Sequence, residues 1–208
     1  MGWANLVRHY RPRDWRDPRL EVRQSLIHGK GLIAVRPIKR GEVVMIFGGT
    51  LFSREDIVAG KANERTLMQI GEELWLGNRA EEPLSEDYFI NHSCDPNLWM
   101  RDEVTLTARR SITAGEEATM DYAMHFADPD WTMRQPCSCS SSLCRGQIRG
   151  TDWMLDDLQK RYLGHFSPLL NQRIAHLQKS KPKQRARSPK SRIWHMGKRR
   201  GFRSIIEA

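Results

Sequence analysis

A chain of 208 residues with 39% hydrophobic residues is long enough to bury one core, and no apolar run approaches the length of about 18 residues that a membrane span requires. The formal net charge of +9 is uneven, because eleven basic residues and one acid lie from Lys179 onward and the preceding part is close to neutral. These totals argue against a membrane protein and against a basic nucleic-acid-binding body, and they predict a disordered basic tail at 179–208.

The N-terminal residues, 1–19, are rich in Arg, Trp and Pro, show no helical or strand period, and are predicted to form a surface arm. They lack the apolar core of a secretion signal. Four cysteines in a reducing compartment favour metal or thiol chemistry over disulfides. We therefore expect a protein that is not secreted, cytoplasmic in a bacterium or nuclear and chromatin-associated in a eukaryote.

Short strands are predicted along most of the chain, with a turn at residues 28–31 where two glycines flank Lys30. Alternating apolar and polar residues at 104–109 indicate a half-buried strand. A helical turn is predicted at 56–61, and a helix at 152–162 with Asp152 as its N-cap. The predicted strands lie at residues 20–22, 32–35, 43–49, 66–70, 73–76 and 104–109, and one more carries Asp121 and Tyr122.

Three stretches carry residues that a plain structural loop does not require: FINHSCDPN at 89–97, GEEATMDYA at 115–123 and CSCSSSLCRG at 137–146. The last supplies three cysteines, and a tetrahedral structural zinc site takes four sulfur or nitrogen ligands. Cys94 is the one cysteine that remains. A site of three cysteines with His92 or His125, or four unrelated thiols, are the alternatives.

Together these stretches resemble the signature of the SET-domain protein lysine methyltransferases, in the order NHSC-x-P-N, GEE-x3-DY and a post-SET C-x-C-x4-C-R-G. The resemblance implies a mainly β protein with short helices, a β-clip-like fold of small sheets. It further implies a pseudoknot-like threading of the Asp121–Tyr122 segment near the NHSC loop and a zinc-bound post-SET cap. The expected divisions are an arm at 1–19, the SET domain at 20–133, the post-SET zinc segment at 134–150, a helical extension at 151–178 and the basic tail at 179–208.

The resemblance also implies the site residues. S-adenosylmethionine is expected to contact the turn at Lys30 and Gly31, the Asn91–His92 pair and Tyr122, and Tyr122 is the expected catalytic phenol. Zn²⁺ is expected on Cys94, Cys137, Cys139 and Cys144. By residue type alone, His92 is either a core histidine whose ring nitrogens are hydrogen-bonded or a zinc ligand. Asn91 caps nearby backbone groups, and Asp121 is a buried structural carboxylate.

Methyl transfer to lysine needs little acid–base machinery once the amine has lost the proton that its pKa of about 10.4 retains. A narrow apolar channel with a few fixed acceptors suits that need. Some positions depart from the family pattern. Phe47 stands where a tyrosine is frequent, Tyr88 where an arginine is frequent, and Met120 where an aromatic residue is associated with the number of methyl groups added.

The leading hypothesis is therefore a methyltransferase acting on lysine in a histone or other basic, DNA-associated protein. Phe126 and Trp131 would cover the cofactor or channel, or merely provide hydrophobic cover for the cap. A catalytically weak SET-fold module that binds peptide, chromatin or nucleic acid is the alternative. The basic tail could add salt-dependent contacts to a polyanion or nucleic acid, and no membrane partner is expected.

Overall fold

The structure, a computed structural model, describes residues 10–84 and 86–180, apart from the side chains of residues 86 and 87. Most of its regular elements are short strands, which confirms the predicted mainly β class. The strands are β1 (Trp15–Arg16), β2 (Leu20–Gln24), β3 (Lys30–Ala34), β4 (Val43–Ile46), β5 (Thr50–Phe52), β6 (Met68–Gly71), β7 (Leu74–Gly77), β8 (Asn91–His92), β9 (Leu98–Met100), β10 (Thr105–Ala108) and β11 (Glu117–Met120). The helices are α1 (Arg54–Val58), α2 (Asp156–Arg161) and α3 (Pro168–Ser180).

The first sheet has the strand order β1-β4-β10-β9 and is antiparallel throughout. The N-terminal arm was expected to have no strand, but Trp15 and Arg16 pair with Ile46 and Met45. The expectation of a half-buried strand near residue 106 was also wrong, since all four residues of β10 are buried. This strand lies inside the sheet, with β4 and β9 on its two edges, and the burial of all four residues shows that other parts of the chain cover both of its faces.

The second sheet has the order β2-β3-β11-β8 and brings the sequence motifs together. Strands β2 and β3 form the predicted hairpin, with Leu20 opposite Ala34 and Gln24 opposite Lys30. Strands β11 and β8 are parallel, with Met120 opposite His92. The parallel pair joins two motifs that lie far apart in the sequence, and it sets the residues after β11 beside those after β8.

A third sheet, β5-β7-β6, begins directly after the glycine pair at 48–49, which lies between β4 and β5. A side chain at Gly48 would meet the backbone oxygen of Arg13 at 2.3 Å, because the N-terminal arm crosses it. Gly49 has φ +129°, and a side chain there would meet the oxygen of Gly77 at 2.4 Å. At both positions the backbone of another segment lies too close for any side chain, so glycine is required.

The C-terminal helical region differs from the prediction of one helix at 152–162. A 3₁₀ helix spans Asp152–Met154, and α2 begins after Leu155, whose side chain cannot cap it. Asp152 was expected to be the N-cap, but its carboxylate accepts a hydrogen bond from Arg145 Nε at 2.9 Å instead. Helix α3 includes Lys179 and Ser180, the first two residues of the predicted tail, and the remainder of the tail, 181–208, lies outside the described residues.

The helices in the described part of the chain are too short or too polar to cross a lipid bilayer.

Candidate functional site

Four cysteines from two distant parts of the chain meet at one point. Their sulfur atoms all lie within 4.8 Å of one another, and in the described residues this is the group whose geometry suits a metal ion. Sulfurs that surround a zinc ion at about 2.3 Å lie roughly 3.8 Å apart, so small adjustments would suffice. The group contains neither of the alternative ligands, His92 and His125. Its members are Cys94, Cys137, Cys139 and Cys144.

Three thiols of this cluster have pKa values shifted by burial and by hydrogen bonds. Burial raises the pKa of the Cys94 thiol to about 12 and raises that of Cys137. Burial opposes ionisation of Cys139 as well, but hydrogen bonds from neighbouring backbone and thiol groups outweigh it and lower its pKa to about 7. Buried thiols this close favour the thiolate only if a cation compensates the charge, which is the chemistry of a structural zinc site.

Tyr122 begins a 3₁₀ turn, Tyr122–Met124, immediately after β11 and Asp121. Its hydroxyl donates to the backbone oxygen of Ile90 at 3.0 Å. Burial raises the pKa of this phenol, so it is protonated at neutral pH. Because its single proton is directed at Ile90, what the hydroxyl can offer to a ligand is an oxygen lone pair.

The imidazole of His92 is held between the cysteine cluster and Tyr122. Its Nδ1 accepts a hydrogen bond from the backbone N–H of Tyr122 at 3.2 Å, and its Nε2 lies 3.2 Å from Cys94 Sγ. Burial lowers the pKa of His92 to about 4, so the ring is neutral and carries its proton on Nε2. Both ring nitrogens have protein partners, and a contact of His92 with a cofactor would therefore use its backbone.

The side-chain amide of Asn91 is tied to the predicted cofactor turn. Its Nδ2 has four acceptors within 3.1 Å: Ser25 Oγ, Glu117 Oε1 and the backbone oxygens of His28 and Lys30. These acceptors fix the orientation of the amide. Asn91 thus joins the 28–31 turn to β11, and the motifs that sequence reasoning assigned to the cofactor form one connected strip.

Gly29 has a positive φ of +52°, which favours glycine. Gly31 is required for a different reason. A Cβ on Gly31 would lie 2.1 Å from Glu117 Oε1. That carboxylate accepts hydrogen bonds from Ser25 Oγ at 2.8 Å and from Asn91. The glycine therefore leaves room for a half-buried carboxylate that organises the turn.

We expect Gly31→Ala to lower the free energy of unfolding by about 1–3 kcal/mol, because Glu117 would have to leave its partners. Denaturant unfolding measures this change. Adding Glu117→Ala removes the clash, so the double variant should lose less than the two single losses combined. Full additivity would show that the two side chains do not compete for this space.

Asp121 and Arg145 form a buried pair that sequence reasoning did not connect. Asp121 is 0% exposed and accepts from Arg145 Nη1 at 2.7 Å and Nη2 at 2.8 Å. Tyr162 Oη donates to the same carboxylate at 3.1 Å. The structure thus favours the interpretation of Asp121 as a structural carboxylate. The arginine of the C-R-G motif was visible in the sequence, but its buried partner was not.

The aromatic residues after Tyr122 pack directly on it. Phe126 and Trp131 stack with ring centroids 4.1 Å apart, and Tyr122 meets Phe126 edge-on at 5.5 Å. Tyr88, another departure from the family pattern, accepts a hydrogen bond from Arg65, whose guanidinium lies 4.6 Å from the Tyr88 ring centroid. The rings at 126 and 131 therefore pack directly against Tyr122.

Two other departures from the family pattern lie in the interior. Met120 is 2% exposed and belongs to β11. Phe47 lines a cavity of about 180 Å³ under the N-terminal arm, together with Tyr10 and Val104. Phe47 has no hydroxyl, and the hydrogen bond between Tyr122 and Ile90 forms without one at position 47.

Comparison with known proteins agrees with this geometry. Residues 29–123 match the family model described as the SET domain. The chain is 32% identical over 142 residues to the histone-lysine N-methyltransferase trithorax of Drosophila virilis, covering 60% of this chain and 3% of that protein. It is equally similar, over 60% of its length, to the human histone-lysine N-methyltransferase 2B, of which it covers 5%. The chain thus spans a small part of the length of these relatives.

The fold has a solved counterpart in SUVH6 of Arabidopsis thaliana, a structure in complex with SAM. The TM-score is 0.50 at 19% identity, over 62% of this chain and 32% of that one. The small sheets and this structural likeness support a SET-type fold. Residues 29–123 match the SET domain, with homology to the corresponding part of histone-lysine methyltransferases.

Proposed function

We propose that this protein is an S-adenosylmethionine-dependent protein lysine N-methyltransferase, acting on lysine in a histone or another basic protein. The observation that supports it best is the hydrogen-bonded strip from the 28–31 turn through Asn91 to the Tyr122 hydroxyl on Ile90. The names of the relatives favour a histone substrate. A nuclear, chromatin-associated location follows from this proposal if the source is a eukaryote.

In this proposal, the backbone at Lys30 and Gly31, together with Asn91, His92 and Tyr122, holds S-adenosylmethionine, which supplies a methyl group on a positively charged sulfur. Asn91 fixes the shape of the turn, and His92 contributes through its backbone. The lone pair of the Tyr122 hydroxyl faces away from Ile90 and can accept a hydrogen bond from the lysine amine. The stacked rings of Phe126 and Trp131 exclude water from the phenol.

The cysteine cluster holds a structural zinc ion in the same proposal. Its ligands would be Cys94 from the SET domain and three cysteines from the segment 137–144. The donor set and the closeness of the sulfurs support this assignment. The ion would attach the cap to the NHSC loop, beside Tyr122, and would take no part in the methyl transfer.

The test is transfer of labelled methyl groups from S-adenosylmethionine to a pool of basic proteins, with the full-length protein purified in the presence of zinc. We expect label on lysine, identified by mass spectrometry of the acceptor. Cofactor binding without label on any protein would favour the alternative, a SET-fold module that binds peptide or chromatin. Absence of cofactor binding would contradict the proposed function outright.

A further inference from the structure

The residue that directly follows the last cysteine of the cluster reaches from that cluster to the turn of Tyr122. The backbone N–H of Arg145 donates to Cys94 Sγ at 3.3 Å. Its guanidinium forms two hydrogen bonds, of 2.7 and 2.8 Å, with the carboxylate of Asp121. One residue therefore contacts the candidate metal ligand with its main chain and the residue before Tyr122 with its side chain.

Asp121 in turn organises the 3₁₀ turn that carries Tyr122. Its Oδ1 accepts a hydrogen bond from the backbone N–H of Ala123 at 3.0 Å, which caps the turn. The carboxylate is 0% exposed, whereas the side chain of Arg145 is 14% exposed. Without the guanidinium, the carboxylate of Asp121 would be a buried charge with only neutral hydrogen-bond donors. Such a charge is strongly destabilising, so the carboxylate would shift its position or bind water.

The guanidinium is itself held in one orientation. Its Nε donates to Asp152 at 2.9 Å, so both edges of its planar fork are occupied. Burial works against the charge of Arg145, but the hydrogen bonds to Asp121 outweigh it and raise its pKa. Tyr162, which also donates to Asp121, comes from the region after the cap. The carboxylate is thus fixed from three directions.

A second connection runs in parallel through the ring of His92, from Cys94 Sγ to the backbone N–H of Tyr122. The two connections start at the same sulfur and end on consecutive residues of the same turn. Moving the sulfur would therefore move the base of the Tyr122 side chain, whose far end is held at Ile90.

We propose that Arg145 is a positioning residue for Tyr122, because Arg145 fixes the Asp121–Ala123 turn to the four-cysteine cluster. Its role in turnover rests on the proposed function, whereas its role in holding the turn does not. An error of about 1 Å in the position of a reacting group costs up to roughly 10²-fold in rate. Loss of the guanidinium should therefore lower kcat and leave cofactor binding nearly unchanged.

The test compares Arg145→Gln with Arg149→Gln in the zinc-loaded, full-length protein. Arg149 is an exposed arginine of the same segment, and in the described part of the chain its side chain has no hydrogen bond or ion pair. We expect Arg145→Gln to lower kcat by about 10- to 100-fold, with the KM for S-adenosylmethionine and the zinc content retained. Arg145→Lys cannot form the two parallel hydrogen bonds that a guanidinium makes with one carboxylate, so its kcat should lie between those of Arg145→Gln and Arg149→Gln. Wild-type kcat in Arg145→Gln would overturn the proposal.

Combination with Tyr122→Phe separates positioning from a general structural role. If Arg145 acts through Tyr122, the double variant should be no slower than Tyr122→Phe alone. Independent, multiplicative losses would contradict the proposal.

Amide hydrogen exchange tests the turn without substrate or cofactor, so its outcome does not depend on methyl transfer. In Arg145→Gln the amides of Tyr122 and Ala123 should exchange at least about tenfold faster, while those of β10 keep their rates. Exchange that becomes faster at all amides alike, or that is unchanged at Tyr122 and Ala123, would overturn the proposal. If Arg145→Gln does not fold, Tyr162→Phe removes a neutral donor from the same carboxylate and should give a smaller effect at the same two amides.

Discussion

Tyr122→Phe should lower the rate of methyl transfer by roughly 10²- to 10³-fold, the loss typical of one preorganised polar group at a reacting centre. The hydroxyl has its proton directed at the Ile90 oxygen, 3.0 Å away, and burial keeps it protonated. Its lone pair is therefore held in place before any ligand arrives. Phenylalanine keeps the ring contacts with Phe126 and Trp131 and removes that acceptor.

Single-turnover rates and cofactor titration measure the two parts of this prediction separately. The affinity for S-adenosylmethionine should change by less than about tenfold, and the free energy of unfolding by about 1 kcal/mol for the lost hydrogen bond. Tyr10→Phe is the matched control, since it deletes a hydroxyl that bonds to Glu103 beside the first sheet. Turnover at the wild-type rate in Tyr122→Phe would remove the phenol from the mechanism.

The motifs could be predicted from the sequence because each contains residue types with few alternative uses. Four cysteines leave one way to complete a four-thiolate site, and the structure brings their sulfurs together. The β2–β3 hairpin could be predicted too, because its strands are adjacent in the chain and its turn contains two glycines. Sequence patterns were informative where the interacting residues lie close together in the chain, or where they are of a residue type with few uses, such as cysteine.

Pairings over long distances could not be predicted in this way. The bond between Asp121 and Arg145 depends on the parallel β8–β11 pair and on the position of the cap, neither of which has a local signal. The same holds for β10, whose alternating sequence indicated one exposed face although all four of its residues are buried. Gly31 illustrates the limit at one residue, because its requirement comes from Glu117, far along the chain.

Cys144→Ser should abolish stable zinc binding and, with it, methyl transfer. The wild type should contain about one zinc ion per chain, as expected for four thiolates. In the segment 134–150, all of which the structure describes, Ile148 is the one buried large apolar side chain. The cap therefore has little hydrophobic burial to hold it, and metal binding, worth on the order of 10 kcal/mol in apparent terms for small zinc sites, would have to supply its stability. Zinc content by atomic spectroscopy and turnover should fall together.

The control is Ser142→Ala, which alters an exposed residue between the same ligands and should retain both zinc and activity. Loss of the ion should reach beyond the cap, because Cys94 Sγ contacts the His92 ring and the Arg145 amide. We therefore expect faster amide exchange at Tyr122 in Cys144→Ser, without unfolding of the first sheet. Full zinc retention in Cys144→Ser would contradict the shared four-cysteine site. Loss of zinc with unchanged turnover would show that Tyr122 is held in place without the cap.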